Sequence, residues 1–231
     1  MKLAIYQVPD IPLGKHNIKD PRLDAANKLV QAKKKVYAKA DIIDNESLKE
    51  ADAILVPVEF KSDLALMDME FLESRLEREQ TAEKKLLFEK LFNSLEAEKL
   101  VCETELNDEE RALLASYQLV TNRPVVTLGE GEDLESAIVQ AYAQAGYISF
   151  LTVGQKENRA WTIRKGCIAV DAAGNIHTDI QKGFIRAEVI SYQDLIECGG
   201  EVQAKRANKA RLEMKTYVMQ DYDVVNFRFN R

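Results

Sequence analysis

The chain has few of the residues that mark specialised classes of protein. No apolar run approaches the roughly 18 residues that a membrane-spanning helix needs, and the apolar stretch of 1–6 is too short for a secretory leader. A cytoplasmic protein is expected. There are three cysteines, Cys102, Cys167 and Cys198, too few, too far apart and odd in number for a disulfide framework or a paired zinc motif. They are expected to be buried or half-buried reduced thiols. Histidine occurs twice, His16 and His177, so with the cysteines this scattered a structural zinc site is not expected, and neither a metal nor a cofactor is expected. Glycine and proline are absent from 62–115.

The 231 residues are 46% hydrophobic and 30% charged, enough to bury a core in one large domain or two to three small ones. The net charge of −6 is unevenly spread. Residues 151–231 carry 13 Lys/Arg against 10 Asp/Glu, whereas residues 1–150 carry 19 against 28. Any nucleic-acid contact is therefore expected in the C-terminal part.

Leu3-Ala4-Ile5-Tyr6 reads as a short buried strand ending in a loop marked by Pro9 and Pro12. Asp20 and Pro21 supply an N-cap and a first helical residue. Two strands are expected over 36–43 and 53–58, with a short polar helix at 46–51, and another strand at 124–128. This alternation predicts an α/β layer with a parallel sheet. In 62–115 the apolar residues recur at three and four, as in Leu72, Leu76, Leu87, Leu91 and Leu95, which predicts a helical hairpin turning near Glu79-Gln80-Thr81. A helix capped by Asn107 or Asp108 leads back to the sheet. After Gly146 the pattern changes to short β segments at 148–153, 160–163, 184–190 and 224–229, with helices near 167–173 and 201–212. Four or five strands around a helix suggest a β-grasp fold.

RAWTIRKG at 159–166, AGNIHTDIQKGFIRAEV at 173–189, Ile190-Ser191-Tyr192 with Cys198-Gly199, and DVVNFRFN at 223–230 resemble the C-terminal TGS domain of the YchF, or Obg-like, ATPases. Fainter likenesses run in the same order upstream: Asp20-Pro21-Arg22-Leu23-Asp24, 48–54, 72–77 and Arg123-Pro124-Val125-Val126. The resemblance implies a truncated P-loop-NTPase-like parallel sheet with an inserted helical hairpin, plus a C-terminal β-grasp (TGS, ubiquitin-like) domain. The expected division is a degenerate G-domain-like part at 1–61 and 116–146, a helical insertion at 62–115 and a TGS-like domain at 147–231.

Family members carry GxxxxGK[ST] after the first strand, a loop whose amides and lysine hold phosphates and whose hydroxyl binds magnesium. Here Gly14-Lys15 stands without the first glycine, and His16 replaces the hydroxyl residue. The second motif, Asp-x-x-Gly, aligns with Asp44-Asn45-Glu46-Ser47, where Asp44 suits a helix N-cap. At the base-reading position stand Glu130-Gly131-Glu132-Asp133, acids that repel phosphates and lack the amide that reads a purine edge. Lys15, Asp44, Glu130 and Asp133 are thus nucleotide-binding remnants, and no intrinsic ATPase or GTPase activity is expected.

The remaining expectation is a binding module. Arg159, Arg164, Lys165, Lys182 and Arg186, interleaved with Trp161 and Phe184, are candidates for contact with RNA, the ribosome or a protein partner; nothing indicates DNA specificity or a membrane. Alternation places Arg159, Trp161 and Ile163 on one face of their strand, with Trp161 toward the core. His177 is expected to be structural, at a helix end. Asp221-Tyr222-Asp223 departs from the family's Asp-Gly-Asp, so Tyr222 should strain a turn that needs positive φ, unless the turn has changed type. Two alternatives stand beside the RNA reading: a nucleotide-binding protein with a rebuilt site, and a protein-interaction or small-ligand regulatory module.

Overall fold

The computed structural model describes residues 1–9 and 11–230. They form two compact units, one of 1–15 and 41–145, the other of 16–40 and 146–231. In chain order the first elements are β1 (Lys2–Ile5), β2 (Gly14–Asn17), α1 (Pro21–Val30), β3 (Lys34–Val36), β4 (Lys39–Ile43), a 3-10 turn Asn45–Glu50 and β5 (Ala53–Pro57). Then come α2 (Lys61–Leu76), α3 (Ala82–Glu96), α4 (Asp108–Leu114), β6 (Val125–Leu128) and α5 (Leu134–Gln144).

The first unit is built on a parallel sheet. β1 pairs with β4 and β5 on its two sides, through Leu3↔Ile42 and Leu3↔Ala53, and β6 extends the sheet beyond β5 through Val56↔Thr127. Ala53, Ile54, Leu55 and Val56 are all fully buried, as a near-continuous apolar run must be when a parallel strand is covered on both faces. The helical hairpin follows the sequence period: Leu72, Leu87, Phe88, Leu91 and Leu95 close a core with Leu114 and Leu119. Its turn falls over 77–81, where Glu79 Oε1 accepts from the amides of Gln80 and Thr81 at 3.1 and 3.0 Å. Asn107 caps α4, its side chain accepting from the Glu110 amide while Glu110 accepts from the Asn107 amide, both at 2.8 Å. Buried Asp68 on α2 accepts from the amides of Val120 and Thr121 and from the Thr121 hydroxyl, each at 2.7 Å, and so ties α2 to the strand-entry loop.

The second unit continues with β7 (Tyr147–Thr152), β8 (Glu157–Arg164), α6 (Ala169–Ile176), α7 (Thr178–Lys182), β9 (Phe184–Ile190), α8 (Tyr192–Cys198), α9 (Glu201–Arg206), β10 (Arg211–Glu213) and β11 (Val224–Phe229). Its sheet runs β10-β9-β11-β7-β8-β3, with β7 and β8 antiparallel and β11 parallel to β7. Phe150, Ile163, Ala187, Val189, Val225 and Phe227 pack against Ala169, Ala172 and Ala173 of α6, whose small side chains let the helix approach the sheet closely. Gly183 is required by contact: a Cβ there would stand 2.0 Å from the Asn230 carbonyl oxygen.

Several expectations change. The strand expected over 36–43 is two strands in different sheets, β3 beside β8 and β4 beside β1. The helix expected over 201–212 stops at Arg206; Asn208 turns left-handed at φ 56 and the chain re-emerges as β10. Residues 16–40, expected with the N-terminal domain, cluster with 146–231. Cys102, expected at least half-buried, is exposed, because Val101 takes the inward position of its turn.

Candidate RNA-facing surface and nucleotide remnants

Each of the four nucleotide remnants has a local structural place. Gly14, at φ 100, opens β2, and Lys15 is an exposed residue of that strand, with no helix directly after it. Asp44 caps the 3-10 turn, accepting from the Glu46 amide at 3.1 Å. Glu130 sits in a tight turn closed by Glu132, whose carboxylate accepts from the Gly129 amide at 2.8 Å. Asp133 is the N-cap of α5, accepting from the Ser136 amide at 3.0 Å and its hydroxyl at 2.8 Å. Beside the carboxyl ends of β1 and β4, however, lies a cavity of about 510 Å³ whose lining includes Gln7, Asn45, Lys49, Phe71 and Gln118. Sequence reasoning missed it because its residues come from four separate segments.

The five cationic candidates of the second unit divide into groups. Arg164 lies opposite Tyr147 at one end of the β7–β8 hairpin, its guanidinium 3.7 Å from the tyrosine ring centre, and Lys165 follows it. Arg159 lies opposite Thr152 at the other end, bonded to Glu157 at 2.7 Å and 4.8 Å from the Trp161 ring. Trp161 itself is half-buried, stacked on Phe150, with its indole N–H donated to Thr152 Oγ1 at 2.9 Å. Lys182 ends α7, and Arg186 pairs across the ladder with Arg228, both exposed. Glu188 beside them accepts from both Lys205 and Arg228, which hold its carboxyl below the ordinary range.

His177 stands between α6 and α7. Its backbone N–H donates to the Ala173 carbonyl at 3.2 Å and ends α6, the helix-end position expected, while its Nδ1 accepts from the Asp179 amide at 3.1 Å and so also caps the start of α7. Tyr222 does adopt a left-handed backbone, φ 63, yet its ring is buried. Arg22 of α1 covers the ring at 3.7 Å while bonding Asp20 and Asp221 at 2.7 and 2.8 Å. Burial raises the pKa of both Tyr222 and the neighbouring Asp223, and Tyr217, which donates to Asp223 at 2.9 Å, is pushed up to about 12.

The division into units also reassigns charge. With 16–40 included, the second unit holds 20 Lys/Arg against 12 Asp/Glu, a balance of +8, and the first holds 12 against 26, or −14. Among the described residues no helix is long and apolar enough to cross a membrane, and no group of three or more His, Cys, Asp or Glu is placed to hold a metal ion.

Residues 147–230 match the family model YchF-GTPase_C, described as a protein of unknown function (DUF933). The ribosome-binding ATPase YchF of Bacillus subtilis (strain 168) is 31% identical over 235 residues, covering 73% of this chain and 64% of that protein. The chain belongs to the YchF, or Obg-like ATPase, family. YchF of Haemophilus influenzae is 52% identical over 101 residues, 44% of this chain and 28% of that one, and Obg-like ATPase 1 of Gallus gallus is 44% identical over 104 residues, 43% and 26%. The chain thus spans less than two thirds of the length of these relatives. The solved structure of the Schizosaccharomyces pombe YchF GTPase superposes with a TM-score of 0.75 over 99% of this chain and 97% of that one at 20% identity, a likeness of fold. These names correct one expectation. The motif losses argued against any intrinsic ATPase or GTPase activity, but the matching relatives are named ATPases and the solved neighbour a GTPase, so the family is one of enzymes.

Proposed function

We propose that this chain is a cytoplasmic, ribosome-associated member of its family whose second unit, a TGS-like β-grasp module, meets RNA through its basic surface. The observation that carries the reading is the charge division, +8 on the second unit against −14 on the first. A polyanion is attracted to one and repelled by the other. The strand order β8-β7-β11-β9-β10, with the chain's last strand parallel to β7 at the centre, supports the β-grasp assignment, and the relatives named as ribosome-binding supply the partner. The test is co-sedimentation with ribosomes across a salt series. Binding that weakens steeply and log-linearly as salt rises is expected, since each neutralised phosphate releases counterions; absence of the chain from the ribosome pellet at low salt would overturn the reading.

A second reading, nucleotide binding at a rebuilt site, is favoured by the cavity at the carboxyl ends of β1 and β4, where open α/β sheets take their ligands. Gln7, Asn45 and Gln118 offer side-chain amides there and Lys49 a cation, in place of the backbone amides of a phosphate loop. ATP or GTP with magnesium at about 100 times its dissociation constant should stabilise the fold by about 2.7 kcal/mol, and Lys49→Ala should weaken that binding. No thermal shift with either nucleotide would sink it.

A further inference from the structure

Resting on the ribosome reading, and sharpening it to one edge, we propose that Lys28, Lys33, Lys34, Lys35, Lys156 and Arg159 form a ridge that grips the phosphate backbone of RNA. Residues 16–40 carry 7 Lys/Arg against 2 Asp/Glu, and the fold places the densest part of them on the last strand of a sheet. β3 is the edge strand of the second unit, parallel to β8 through Lys34↔Glu157, Lys35↔Asn158 and Val36↔Arg159, and the Lys33 amide donates to the Gln155 carbonyl at 3.1 Å. That register brings Lys156 and Arg159, 120 residues further along the chain, to the same edge as Lys33–Lys35. Two carboxylates pair with this set. Glu157 bonds Arg159 at 2.7 Å and lies 3.4 Å from Lys34, and Asp24 bonds Lys35. Lys28, Lys33 and Lys156 are exposed and have no carboxylate within ion-pair distance among the described residues.

Ordinary structural reasons account for part of this. Lysines on an edge strand discourage pairing with another sheet, and Lys28 suits the negative end of α1. Neither reason calls for Lys156 and Arg159 to converge on the same edge, where like charges lie within a Debye length, about 10 Å at 0.1 M salt. A polyanion removes that repulsion. Lysine offers a compact charge with three freely rotating donors and no bidentate geometry, which suits phosphates more than bases. Two aromatics lie at this edge and both are engaged: Trp161 is half-buried with its N–H committed to Thr152, and Tyr37 is half-buried, donates to Asp24 and carries the Lys35 ammonium over its ring at 4.8 Å, so base stacking is not offered and binding should be indifferent to sequence. An acidic protein partner is disfavoured because interfaces between proteins need an apolar centre, and Leu29 alone among the large exposed hydrophobics lies in 28–36.

The test uses the full chain with Lys28→Gln, Lys33→Gln and Lys156→Gln combined, three side chains that make no ion pair among the described residues, against an equal-charge control in the first unit, Lys84→Gln, Lys85→Gln and Lys99→Gln. Affinity for a short RNA duplex is read by fluorescence anisotropy across a salt series, beside ribosome co-sedimentation. The ridge variant should reduce the slope of log affinity against log salt by about 2 to 3, one phosphate contact per lysine, with the control unchanged. An unchanged slope in the ridge variant, or an equal loss in the control, would overturn the ridge while ribosome binding by the parent chain left the broader reading intact. A parent chain that pellets with ribosomes without salt dependence and ignores the duplex would point to a protein contact and also overturn it. Failure of the parent chain to pellet at all would instead remove the broader reading, with the duplex arm still deciding the ridge.

Discussion

Tyr222 sets a backbone cost against a packing gain. A left-handed φ of 63 on a residue with a Cβ costs about 1–2 kcal/mol relative to the right-handed regions, a cost that glycine escapes. The buried ring is covered by the Arg22 guanidinium and meets Tyr192 edge-on at 5.7 Å between centres, and losing a buried large aromatic costs about 3–5 kcal/mol. Packing should win. Tyr222→Gly is expected to destabilise the chain by about 2–4 kcal/mol in urea unfolding, and Tyr222→Ala to be less stable than the glycine variant by about 1 kcal/mol, because alanine loses the ring and keeps the strained backbone. A glycine variant as stable as the parent would show that the ring contributes no net packing. The need for positive φ was legible through the resemblance, which sets Asp-Gly-Asp where this chain has Asp221-Tyr222-Asp223, and stood there beside a change of turn type. The ring's partner was not: Arg22 lies 200 residues earlier, and no local pattern announces a contact of that span.

Elements were legible where their signals are local. Asp20 before Pro21, Asn107 three residues before Glu110, and the leucine spacing of α2 and α3 are caps and periods contained within a few residues, and each produced the helix it promised. The failures are of two kinds. Some signals were present and unused: Asn208, in the left-handed position after α9 with the Lys209 amide bonded to the Ala204 carbonyl at 2.9 Å, is a helix stop, and Asp133 capping Ser136 opens α5. Others were absent. Residues 34–43 contain no glycine or proline to mark a break, and the choice of Lys34–Val36 to pair with β8 while Lys39–Ile43 pairs with β1 is made by distant partners. That choice carries the candidate surface with it. A reading that left 16–40 in the N-terminal domain kept five net positive charges away from the unit where they are found.

At the scale of the whole molecule the consequence is a polarity that one experiment can map. Counted by sequence halves, the C-terminal excess is three charges; counted by compact units it is eight, against fourteen negative charges on the other unit. A phosphate backbone within a Debye length of the acidic unit meets net repulsion and within the same distance of the basic unit net attraction, so the proposed attachment to RNA runs through the basic unit. Ultraviolet cross-linking of the chain to ribosomes, followed by mass spectrometry of the linked peptides, should therefore place the RNA adducts within 16–40 and 146–230 and leave the helical hairpin and the acidic turn at 129–133 without them. Raising salt should diminish all the adducts together, because they depend on one electrostatic attachment. Adducts concentrated in 61–114 would mean that the hairpin meets the RNA against its own charge, and the unit-level charge division would then no longer explain the binding.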